Sequence, residues 1–204
     1  MRRHTAIVPV KGFAHAKSRL TETLTTSERE AFARHCFEHV LGLLEHHPGV
    51  DRVLVSSRDA DVLALARTRG HVPLHDPVSA SRLNEVIDAA LTVAVEQGAE
   101  AALVLMCDLP LLRACDLDAL FASDAELVLA PDGARAGTNA LVVAPADLLP
   151  TCFGDARSFA LHTARAKALG ARTHVVHSEG LAGDVDTPAD YAAYRARLSP
   201  PARG

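Results

Sequence analysis

The chain has 204 residues, 49% of them apolar and 23% charged, with a formal net charge of −4. Such a length favours one domain with an ample core, here 1–198 with 199–204 as a frayed, disordered tail, and such a composition argues against intrinsic disorder. A mildly acidic chain without a basic stripe is not expected to bind nucleic acid.

No apolar run approaches the ~20 residues a membrane span needs, and Lys11 interrupts the opening "MRRHTAIVPVK" too early for a signal peptide. Cys36, Cys107, Cys115 and Cys152 are scattered, with no C-x-x-C pair, and read as small core residues of a cytoplasmic protein in a reducing compartment.

In chain order, "TAIVPV" (5–10) is the first β-rich run. Ser27-Glu28-Arg29-Glu30 forms a capping-box pattern that opens a helix to about His46. "RVLVSS" (52–57) follows, then a helix from near Asp59 to Gly70. In 82–98, Leu83, Val86, Ile87, Ala90, Leu91, Ala94 and Val95 fall on one helical face, and Gly98 is the stop. "AALVLM" (101–106), "ELVLA" (126–130), "NALVVA" (139–144) and "THVVH" (173–177) complete the strands. A helix with Ser158 as N-cap ends on Gly170, and Thr187-Pro188 opens the last one. Strands that are continuously apolar and alternate with helices predict an α/β fold, a mostly parallel mixed sheet covered by helices on both faces. The 126–130 and 139–144 runs, joined by "PDGARAGT", suggest an antiparallel excursion near an edge. Exposed helix faces permit a homodimer.

"LVLMCDLPLL" (103–112) raises the functional question: an apolar strand runs into Asp108, and Pro110 then turns the chain off the sheet. Ligands of open α/β sheets bind at the carboxyl ends of strands, so Asp108 is delivered to the active edge. A turn or capping aspartate is the alternative, weakened because Asp116 and Asp118 are better placed to start the next helix. In "GLAGDVDTPADY", Asp184 and Asp186 point the same way from extended chain, with Val185 opposite. With Asp108 they make an all-oxygen set suited to magnesium, unless they are solvated loop acids. Lys11, Lys17 and Arg19 follow the first strand and form a positive patch suited to polyphosphate, or a solvated loop. Ser158 and His162, one helical turn apart, are candidates to hold a phosphate or carboxylate, although a cap serine and a surface histidine are more often structural. Gly137-Thr138 allows close approach of a ligand. No Walker loop, G-x-S-x-G elbow or H-E-x-x-H pattern occurs.

Taken together, "VPVKGFAHAKSRL", "CDLPLL", "APDGARAGTNALVV", "FGDARSFALH" and "GDVDTPAD", in this order from about Ile7 to Tyr191, resemble the 2-phospho-L-lactate guanylyltransferase family. Relatives in that family use phosphoenolpyruvate or 3-phosphoglycerate in coenzyme F420 biosynthesis. The resemblance implies a nucleotidyltransferase fold of the glycosyltransferase-A, Rossmann-like type. It implies GMP transfer from GTP to a phosphorylated three-carbon acid, with release of pyrophosphate. Asp108, Asp184 and Asp186 would hold Mg2+, and Lys17 would meet the nucleotide phosphates, making Lys17 and Asp108 the catalytic pair. Asn84 would lie near the nucleotide with Lys11 and Arg19; Thr138, Gly154, Ser158 and His162 would surround the acid. The chain departs from the family at Arg82, where glycine is usual, and in the Gly154–Ser158 spacing, one residue longer than usual. Another sugar- or cofactor-type nucleotidyltransferase, or a non-catalytic relative, is the competing reading.

Overall fold

The computed structural model describes residues 3–14 and 16–198. The tail expected to fray, 199–204, lies outside the described residues. A seven-stranded sheet has the order β3-β2-β1-β4-β6-β5-β7, with β1 His4–Pro9, β2 Val50–Ser57, β3 Val72–His75, β4 Ala102–Leu105, β5 Leu127–Pro131, β6 Thr138–Val143 and β7 Thr173–Val175. β3, β2, β1 and β4 pair in parallel, β6 runs antiparallel to both β4 and β5, and β5 pairs in parallel with β7. The predicted antiparallel excursion is therefore present near the β7 edge, with β6 inserted between β4 and β5.

The helices are α1 Thr26–His46, α2 Ala60–Thr68, α3 Leu83–Glu96, α4 Ala114–Phe121, α5 Ser158–Ala168, α6 Glu179–Ala182 and α7 Pro188–Leu198. Alternate residues of each strand go to opposite faces, and in β1, β4, β5 and β6 both faces are buried, which is why these strands read as unbroken apolar runs. Ala6, Val8, Val53, Val55, Leu103 and Leu105 pack with Phe37, Leu41 and Leu44 of α1, Val62 of α2 and Leu120 of α4. Ile7, Leu54, Ala102, Val104, Leu129 and Leu141 pack on the other side with Ile87, Ala90 and Leu91 of α3 and Ala166 of α5. α7 closes over α1 through Tyr194, Phe32 and Val185.

Three local expectations are corrected. The capping box of α1 is Thr25 with Glu28, two residues earlier than read: Thr25 Oγ1 accepts from Glu28 N (3.3 Å) and Glu28 Oε2 from Thr25 N (2.8 Å). The N-cap of α5 is Arg157; Ser158 is the first helical residue, and its hydroxyl turns inward. Cys115 is exposed on α4, so it is not a core residue, whereas Cys36 and Cys152 are buried. The Thr187 cap is as read: its Oγ1 accepts from Asp190 N, and Asp190 Oδ2 accepts from Thr187 N. None of the described helices is long and apolar enough to cross a membrane.

Candidate active site

The carboxyl ends of β1, β2, β3 and β4 open into a cleft of about 510 Å³. Its walls include Lys11, Gly12 and Lys17 after β1, Arg58 after β2, Asp76 after β3, Asp108 after β4, Ser81 and Arg82 before α3, and Asp186. The loop after β1 is fixed by burial of Phe13, by the Arg29 Nη1 bond to Ala16 O (3.2 Å) and by close packing of Gly12 on Asp59. Gly12 has φ +113°, and a Cβ there would lie 2.4 Å from Asp59 Oδ2, so glycine is required on both counts.

This loop delivers Lys17 in a left-handed conformation, φ 54°, which non-glycine residues adopt at a cost and which recurs at functional sites. Its Nζ lies 3.0 Å from Asp108 Oδ2 and 3.0 Å from Asp186 Oδ1, and its side chain is almost fully buried. Burial alone would lower the ammonium's pKa; Asp108 and Asp186 overcome it and raise it well above the usual lysine range. Lys17 is thus a fixed cation.

The 184–186 segment is tied to the Asp108 loop by the bond from Val185 N to Asp108 O (3.3 Å). Asp186 faces the cleft. Asp184 instead lines a separate, smaller hollow of about 260 Å³, and its Oδ1 accepts from Asn139 Nδ2 (2.9 Å). Burial raises the Asp184 pKa, opposed by the Asn139 bond and reinforced by the charges of Asp108 and Asp186. Asp108 Oδ1 is buried without a hydrogen-bond partner. Among the described residues, no three His, Cys, Asp or Glu side chains are grouped to share a metal ion as they stand. The donor chemistry nevertheless fits a hard divalent cation. Two carboxylates, Asp108 and Asp186, face one ammonium, a third, Asp184, is close enough to feel both charges, and one oxygen of Asp108 is orphaned.

Lys11 lines the cleft and is exposed at its rim; Arg19 is exposed beyond it and does not line it. Asn84 is half-buried on α3 and also lies off the cleft wall, which is formed there by Ser81, Arg82, Leu83 and Val86. Gly154, φ +85°, packs against Leu83, where a Cβ would come within 3.1 Å of the leucine Cβ. Thr138, Ser158 and His162 are brought together, but as an internal network away from the cleft wall. Cys152 N donates to His162 Nε2 (2.7 Å), which leaves the imidazole proton on Nδ1, 3.1 Å from Thr138 Oγ1. Ser158 Oγ donates to the same threonine oxygen (3.3 Å). The first two amides of α5 are likewise engaged, Ser158 N with Asp155 O and Phe159 N with Ala136 O.

His162 is fully buried, and burial, aided by the Arg165 charge, pushes its pKa down to about 4. The folded pKa lies below the ordinary 6.5, so the folded chain binds fewer protons between those values. Stability is then greatest above pH 6.5 and falls as pH drops towards about 4, by on the order of 3 kcal/mol from this group. Urea unfolding at pH 7, 5.5 and 4.5 is expected to show a shallower decline in His162→Gln than in the wild type; parallel declines would contradict it.

Among the cleft residues that escaped the sequence reading are Arg58, Asp76, Ser81 and, except as a departure from family pattern, Arg82. Arg58 and Asp76 directly follow strand ends, so the rule that yielded Asp108 applies to them too. Arg58 Nη2 is anchored on the carbonyls of Pro77 (3.1 Å) and Ala80, which holds the 76–82 loop against the cleft.

The family described as "Guanylyl transferase CofC like" matches residues 4–194. Phosphoenolpyruvate guanylyltransferase of Sphaerobacter thermophilus is 39% identical over 187 residues, covering 91% of this chain and 89% of that protein. 2-Phospho-L-lactate guanylyltransferase of Methanothermobacter thermautotrophicus is 36% identical over 186 residues, covering 91% of this chain and 81% of that protein. The solved structure of a nucleotidyl transferase, also from Methanothermobacter, superposes with a TM-score of 0.66 at 17% identity, covering 97% of this chain and 98% of that one, which shows the nucleotidyltransferase fold. With the match running through nearly every element that builds the cleft, the chain belongs to the CofC-like guanylyl transferase family.

Proposed function

We propose that this protein transfers GMP from GTP to a phosphorylated three-carbon acid and releases pyrophosphate, as a step of coenzyme F420 biosynthesis. Phosphoenolpyruvate leads the candidate acceptors because the relative cited at 39% identity carries that name; 2-phospho-L-lactate and 3-phospho-D-glycerate follow. The observation that carries the reading is the Lys17 ammonium held between Asp108 and Asp186 at the carboxyl edge of the sheet.

The chemistry needs no general base. A phosphate monoester has its second pKa near ~6 and is mostly dianionic at neutral pH. One of its oxygens bonds to the α-phosphorus of GTP, the bond to the α–β bridging oxygen breaks, and pyrophosphate leaves with that electron pair. The obstacle is repulsion between two anions and their alignment. An ammonium has three N–H donors; Lys17 spends two on Asp108 and Asp186 and keeps one for a phosphate oxygen. Being raised in pKa, it stays charged throughout the working pH range. Lys11 and Arg82 add positive charge along the cleft. Asp108, Asp184 and Asp186 are the residues that would hold Mg2+, which when bound supplies charge neutralisation at the transferring phosphate. The buried Thr138–Ser158–His162 network is suited to holding the backbone beside the acid rather than touching it.

The test is pyrophosphate release with GTP and each of the three acids, with unphosphorylated lactate as control. Release with at least one phospho-acid, absent with lactate and abolished by EDTA, is expected. Equal release without any acceptor would overturn the acceptor class, and release unaffected by EDTA would overturn the metal.

A further inference from the structure

The sheet order sets a distance along the cleft. Asp108 follows β4 and Asp76 follows β3, and β1 and β2 lie between them. Three strand spacings separate β3 from β4, roughly 14 Å. With phosphate chemistry at the Lys17–Asp108 end, this distance is of the order a nucleoside spans from phosphate to base. Asp76 therefore stands at a base's distance from the phosphate end of the cleft. Besides Asp108 and Asp186 it is the only carboxylate on the cleft wall among the described residues.

Asp76 is also aimed. Ser56 Oγ, buried in β2, donates to Asp76 Oδ1 (2.7 Å), and Asp76 N donates to Ser57 O (3.1 Å). Among the described residues Asp76 Oδ2 has no hydrogen-bond partner, and the side chain is only half-buried. An acceptor held this way selects for adjacent donors. Guanine presents two on one edge, N1–H and the 2-amino group. Adenine and cytosine present a ring acceptor at the corresponding place, which a carboxylate repels. Arg82, on the same wall, carries guanidinium donors for guanine O6, whereas the amide and hydroxyl of Ser81 both donate to Glu85.

We propose that Asp76 is the residue that selects guanine, its carboxylate accepting from N1–H and the 2-amino group, with Ser56 as its positioning residue. The inference rests on the guanylyl-transfer reading for the choice of nucleotide, but is tested by binding alone. Asparagine at 76 keeps one acceptor and gains a donor, which suits xanthine, where a carbonyl replaces the 2-amino group. A site built around a hydrogen bond discriminates strongly against analogues lacking it.

The experiment is calorimetric titration of GTP, ITP and XTP, without acceptor, into wild type, Asp76→Asn and Ser56→Ala. Wild type is expected to bind GTP at least roughly 10-fold more tightly than ITP, which lacks the 2-amino group, and still more tightly than XTP. Asp76→Asn is expected to lose GTP affinity on the order of 10²-fold and to gain for XTP. Ser56→Ala is expected to narrow the GTP-to-ITP ratio. Equal wild-type affinity for GTP and ITP, or an Asp76→Asn protein that still prefers GTP over XTP, overturns the proposal. If Asp76→Asn does not fold, an unchanged GTP-to-ITP ratio in Ser56→Ala overturns it. Failure of guanylyl transfer itself appears separately, as selective GTP binding without pyrophosphate release.

Discussion

Asp108→Asn is expected to lower kcat by at least ~10²-fold while the protein still folds. The substitution keeps side-chain volume and removes one charge from the carboxylate that faces Lys17 at 3.0 Å. Asp108 lies past the end of β4, so the core strands Leu103–Leu105 keep their packing. Its Oδ1 is buried without a partner among the described residues, and a bound cation would satisfy it. Asp186→Asn removes the charge of the second partner of Lys17 while keeping an acceptor oxygen, and is expected to act in the same direction, with a rise in the magnesium concentration needed for half-maximal rate. Steady-state kinetics over a magnesium series, with circular dichroism as the check on folding, measures both. A folded Asp108→Asn enzyme with near wild-type kcat would remove the carboxylate from the chemistry.

Lys17→Ala separates charge on the phosphate from charge on the metal. Loss of a preorganised donor to the transferring group costs on the order of 10²–10³ in kcat. The same lysine competes with any cation for Asp108 and Asp186, because its Nζ already lies 3.0 Å from both. Removing it frees two carboxylates and deletes a neighbouring positive charge. The variant is therefore expected to bind Mn2+, as a spectroscopic substitute for magnesium, more tightly than wild type in the absence of nucleotide, while turning over more slowly. Asp186→Asn should bind Mn2+ more weakly. Electron paramagnetic resonance titration reads this contrast. A fall in Mn2+ affinity in both variants would mean that Lys17 supports the cation site rather than competing with it.

The sequence carried the sheet's character because burial on both faces leaves strands such as Leu103–Leu105 without polar alternation. β3 was not legible: Val72–His75 contains a proline and a histidine, is only partly buried and lies at the sheet's edge, where strand signals are weakest. Missing β3 hid Asp76, although Asp76 obeys the same strand-end rule as Asp108. The α1 boundary was misread because Thr25…Glu28 and Ser27…Glu30 fit the capping pattern equally well. The charged residues of the site were legible as types near strand ends. The pairing of Lys17 with Asp108 and Asp186 was not, since 91 and 169 residues separate the partners. The spacing of Ser158 and His162 showed a shared helical face, but not that this face points into the protein, which depends on Thr138 and the 152–157 loop.

The most direct test is phosphorus NMR of the protein mixed with GTP, magnesium and phosphoenolpyruvate. The account predicts pyrophosphate together with a new anhydride in which the α-phosphorus of GMP is joined to the phosphate of the acid. Pyrophosphate accompanied by free GMP, or inorganic phosphate accompanied by GDP, would contradict it, since water would then be the acceptor or the γ-phosphate the group transferred.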